Sequence, residues 1–125
     1  MGLLDMALGN CTIISAEAAQ EEYKMLLASG ERIEQAFQDV RDRYLLTNSR
    51  LIFVDKKGLT GSKTQYLSIP YRSVRMFSVE TAGSMDADTE LALWIAGEDL
   101  PRKLLFARGQ DVFALQAQLA THLVR

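Results

Sequence analysis

Residues 44–71, YLLTNSRLIFVDKKGLTGSKTQYLSIPY, constrain the fold more than any other stretch of this chain. Three strand-like runs alternate there with two turns. Leu45 and Leu46 lead into Thr47, Asn48 and Ser49, all turn formers. Residues 50–54, RLIFV, are dense in β-branched and aromatic side chains. Residues 55–62 make a longer turn carrying Gly58 and Gly61, and residues 65–69, QYLSI, resume the strand until Pro70 stops it. Strand runs closed by asparagine, glycine and proline predict an antiparallel meander.

The flanking sequence extends this pattern. Residues 33–40 read as a strand paired with residues 43–47 across a tight turn near Arg41 and Asp42. Residues 74–81, 90–96 and 103–107 read as three more strands, separated by the small polar loop 82–88 and by a turn over residues 97–102. Two segments carry the helical period instead. Ser15 is suited to cap a helix, Glu17 complements its dipole, and Ala16, Ala19, Tyr23, Leu26 and Leu27 recur at steps of three and four until Gly30. Asp111 can cap a second helix, along which Val112, Leu115, Leu119 and Leu123 share a face with Phe113, Ala117, Ala120 and Val124 beside it. Residues 3–8 form a short apolar patch, read as one docked helical turn or as an arm for a partner. Seven short strands followed by one helix, with no strand–helix alternation, fit a small barrel or sandwich and not a parallel doubly wound sheet.

At 125 residues the chain is one domain by size, long enough to bury a real core. Its formal charge of −2 argues against nucleic acid, whose binders concentrate positive charge against phosphate, and makes membrane contact a weak expectation. A single cysteine, Cys11, allows no internal disulfide and suits a reducing compartment. No apolar run reaches the roughly 18 residues that span a bilayer. The amino-terminal residues lack the basic region of a signal peptide, and Met6 stands where a myristoylation motif wants serine or threonine. These features set the expectation of a soluble cytoplasmic protein.

The segments MGLLD (1–5), LLTNSRLIFVDKKGLTG (45–61), SIPYRS (68–73), FSVETAG (77–83) and ELALWIAG (90–97), with the final helix, resemble the bacterial pleckstrin-homology family. The resemblance covers nearly the whole chain. It implies a mainly β fold: a pleckstrin-homology-like barrel of about seven antiparallel strands in two nearly orthogonal sheets, with a C-terminal capping helix and an extra N-terminal helix. The domain plan is then a helical arm over residues 1–30, the barrel over 31–109 and the closing helix over 110–125. The resemblance also implies ring-like homo-oligomers, and it implies no established activity.

The residues offer little chemistry. The first hairpin, residues 38–43, matches Arg41 and Arg43 with Asp39 and Asp42, so the basic cradle that holds inositol phosphates in eukaryotic members of the superfold is missing in its usual form. Lys56, Lys57 and Lys63 flank a glycine-bearing turn and, with Arg72, are the candidate anion- or partner-binding residues. The spacing there is not that of a phosphate-binding loop. His122 has no companion ligands, Asp86, Asp88 and Glu90 lack the remainder of a calcium loop, and Cys11 has no base nearby in sequence. No metal or other cofactor, and no catalytic residue, is expected.

Several strands are apolar on both faces. Leu91, Leu93 and Ile95 oppose Trp94, and Leu51 and Phe53 oppose Ile52 and Val54. Val74 and Met76 oppose Phe77 and Val79. A free small barrel needs only one apolar face per strand. The second face is covered either by the terminal helices or by another subunit, and Trp94, Phe77 and Ile52 are the candidate oligomer interface. The expected function is a non-catalytic binding and assembly module that forms a homo-oligomer and presents a surface to a protein or peptide. The alternative is an anionic ligand or lipid headgroup at the Lys56, Lys57 and Lys63 turn.

Overall fold

A computed structural model describes residues 10–57, 62–81 and 89–123. The apolar patch at 3–8, the turn glycines Gly58 and Gly61, the loop carrying Asp86 and Asp88, and Val124 lie outside the described residues. The fold is mainly β, with a five-stranded and a three-stranded sheet and flanking helices. Contacts divide the chain into two compact units. One is Ile13–Tyr71; the other runs from Arg72 onward and takes in the segment ending at Thr12.

Apart from Thr12, the first unit holds the sheet β1 (Thr12–Ile14), β2 (Ile33–Asp39), β3 (Asp42–Thr47), β4 (Arg50–Lys57) and β5 (Lys63–Pro70), hydrogen-bonded in that order. From β2 to β5 each neighbouring pair is antiparallel. Side chains alternate across a strand, and here the alternation makes two apolar faces. On one, Ala36, Leu45 and Ile52 stand in register across three strands and pack with Val54 against Ala19 and Tyr23. On the other, Phe37 stacks on Tyr44 at 5.4 Å between ring centroids, and Tyr44 meets Phe53 edge-on at 5.1 Å. The helix α1 (Ala16–Glu22) is the cover on the Ile52 face, as one of the two sequence readings requires.

Ser15 caps α1 as expected, its hydroxyl accepting from the Ala18 amide at 3.1 Å. The helix nevertheless ends at Glu22, well short of Gly30, and tightens into a 3-10 turn, Lys24–Leu26. The Leu26 and Leu27 amides donate to the Tyr23 and Lys24 carbonyls, at 2.9 and 3.2 Å, and Arg50 Nη2 donates to the Leu26 carbonyl at 2.7 Å, tying down the end of that turn. Gly30, with φ of +79°, serves the following reversal, in which the Glu31 amide donates to the Ala28 carbonyl at 3.0 Å.

That reversal delivers Glu31 into a buried polar network. Arg50 Nε donates to Glu31 Oε2 and Arg50 Nη2 to Glu31 Oε1, both at 2.9 Å. The Thr47 hydroxyl donates to Oε2 at 2.6 Å, and the Ala28 amide donates to Oε1 at 2.9 Å. Arg50 Nη1 spends its remaining reach on Ser68 Oγ at 2.6 Å. The Thr47 oxygen accepts in turn from the amides of Ser49 and Arg50, closing the β3–β4 turn. The Arg50 guanidinium first, then the Thr47 and Ala28 donors, outweigh burial and hold the Glu31 carboxyl down at about 2 from an ordinary 4.5. The buried Tyr71 hydroxyl donates to the Thr47 carbonyl at 2.6 Å. Its ionisation is pushed well up, chiefly by burial and then by the charges of Glu34 and Glu31. Residues 47–50 are therefore a structural fastening between the helical arm and the meander.

The β2–β3 hairpin turns through only Val40 and Arg41, because Asp39 pairs with Asp42. Val40 is 78% exposed and has φ of 52°, a left-handed conformation that β-branched residues avoid and that two-residue hairpins reserve for glycine or asparagine. We expect Val40→Gly to raise stability by about 1 kcal/mol, the strain relieved exceeding the entropy glycine loses. The measurement is thermal unfolding, where that gain is a rise of roughly 4 °C.

The second unit holds the antiparallel sheet β6 (Val74–Thr81), β7 (Thr89–Ile95) and β8 (Arg102–Phe106), with β7 central, and the helix α2 (Val112–Leu123). Asp111 caps α2 through the Ala114 amide at 3.1 Å. Val112, Leu115 and Leu119 are its buried stripe, whereas Phe113 is 63% exposed. Fully buried Cys11 makes a parallel bridge to β8, its amide donating to Leu105 and its carbonyl accepting from Ala107.

Candidate functional site

Each strand of the three-stranded sheet puts alternate side chains on opposite faces, so register decides what can act together. Phe77 pairs with Leu93, Val79 with Leu91, and Leu91 with Leu104. The three leucines are buried, so this face is core. The opposite face follows from the intervening pairs: Met76 with Trp94, Ser78 with Ala92, Glu80 with Glu90, and Ala92 with Lys103. Here Met76 is 56% exposed, Trp94 is half-buried, and an open groove of about 600 Å³ runs over Trp94 and Ala92 between Glu80, Glu90, Lys103 and Pro101.

The groove combines an apolar floor with charged walls. Glu80 and Glu90 are direct cross-strand partners, an arrangement that costs free energy when the charges match. Lys103 Nζ offsets part of it from 4.0 Å of Glu90 Oε1. Val74 to Thr81 is also an edge of its sheet, exposed along most of its length. Such an edge presents backbone donors and acceptors to whatever lies alongside.

The interface candidates do not share a surface. Trp94 lies in the groove. Phe77 is on the opposite, core-facing side, because it is one residue out of phase with Met76 on the same strand. Ile52 is 1% exposed and belongs to the cluster under α1, so its second apolar face is covered within the chain and not by a subunit. Nothing in the sequence sets Met76, Glu80 and Glu90 on the face of Trp94; only the β6–β7 register does so.

The anion candidates also separate. The strands β4 and β5 run further than their turn-like composition suggests, and Lys57 pairs with Lys63 while Lys56 pairs with Thr64. Lys57 and Lys63 therefore point to one face and Lys56 to the other. The Lys56 amide donates to Asp42 Oδ1 at 3.0 Å, and Lys57 Nζ lies 4.0 Å from Asp55. Arg72 follows the opposite end of β5 from Lys63 and sits exposed in the 3-10 turn Tyr71–Ser73. His122 lies on α2 with Nε2 at 3.1 Å from Gln118 Nε2. Among the described residues, no helix is long and apolar enough to cross a membrane.

Comparison with known proteins agrees with this architecture. The uncharacterized protein YjqA of Bacillus subtilis is 47% identical over 121 residues, spanning 96% of this chain and 97% of its own. The crystal structure of a DUF1696 family protein with a pleckstrin-homology domain from Shewanella loihica superposes with a TM-score of 0.82 at 36% identity, covering 93% of this chain and 99% of that one. A pleckstrin homology domain from Shewanella amazonensis gives a TM-score of 0.72 at 39% identity, covering 99% of this chain and all of the other. The sequence profile of the bacterial PH domain matches residues 2–123, and with the two-sheet fold and these relatives it places the chain in that family.

Proposed function

We propose that this chain is a non-catalytic assembly module: it forms a homo-oligomer and presents a protein-interaction surface. The observation that carries the reading is Trp94, the single tryptophan of the chain, half-exposed in an open groove beside exposed Met76 on a sheet with an exposed edge strand. Tryptophan and methionine concentrate where surfaces are buried by partners, and a few such residues carry most of the binding free energy. Ring-like assembly in the family that the sequence resembles supports the same reading.

Trp94→Glu tests it. The substitution puts a charge into the groove without touching the buried face of β7, so the chain stays folded while its assembly weakens by more than about tenfold. Size-exclusion chromatography with light scattering reads the effect. An oligomer of unchanged mass and stability assigns Trp94 to cover within the chain.

A further inference from the structure

We draw no further inference here: the strongest candidate, the open groove over Trp94 and Ala92 beside exposed Met76 on the three-stranded sheet, carries nothing, because nothing among the described residues shows what covers it.

Discussion

Arg50→Met is expected to lower the stability of the folded chain by about 3–5 kcal/mol, because it strands a buried carboxylate. Glu31 is almost fully enclosed, with a side-chain exposure of 2%, and Arg50 supplies two of its charge-assisted hydrogen bonds. Methionine keeps an unbranched apolar stem but none of the donors. Thr47 and the Ala28 amide remain, yet they cannot balance a full charge. Glu31→Gln leaves the weaker problem of a half-exposed guanidinium, and adding it to Arg50→Met recovers part of the loss, since removing both charges is far cheaper than removing one. Urea unfolding of the three variants separates these terms.

The same pair sets an acid limit. A carboxyl held at about 2 in the folded chain and near 4.5 when unfolded stabilises the fold fully above pH 4.5, and that contribution, about 3 kcal/mol, is lost as pH falls toward 2. The stability gap between the native chain and Glu31→Gln therefore narrows over that window. A gap that stays constant from neutral pH to pH 2 would contradict the depressed ionisation of Glu31.

The second large effect is at Ile52. Ile52→Ala is expected to cost about 2–5 kcal/mol of folding stability, through lost burial and the cavity left under α1. It should leave the affinity between folded subunits unchanged, because the side chain reaches no surface. Trp94→Glu is the mirror case, costing assembly far more than folding. Chemical denaturation and light scattering on both variants distinguish the roles. An Ile52 variant that is fully stable yet monomeric would return Ile52 to the interface.

These two residues also show what the sequence could reveal. The meander was readable because turn formers punctuate strand runs at short spacing, and α2 because Val112, Leu115 and Leu119 repeat at helical steps. The apolar character of both faces of β4 was equally visible, but which partner covers each face was not, since that depends on the packing of α1. Leu26 and Leu27 continue the period of α1, so its stop at Glu22 leaves no mark in the sequence; the backbone tightens into i→i+3 bonds after it. Polarity likewise made Asp55, Lys56 and Lys57 look like turn, although their backbones stay in the ladder up to Lys57 and Lys63. The short strand β1 has too few residues to show alternation. Glu31 carries no local mark of its ion pair. Trp94 stands out by residue type, but Met76 comes opposite it, and Glu80 opposite Glu90, only once β6 and β7 are in register.

The most direct test of the account is the mass of the native chain in solution at micromolar concentration, measured by light scattering at low and high salt. The account predicts a multiple of the 14.0 kDa chain mass. A mass of one chain under all conditions would contradict it.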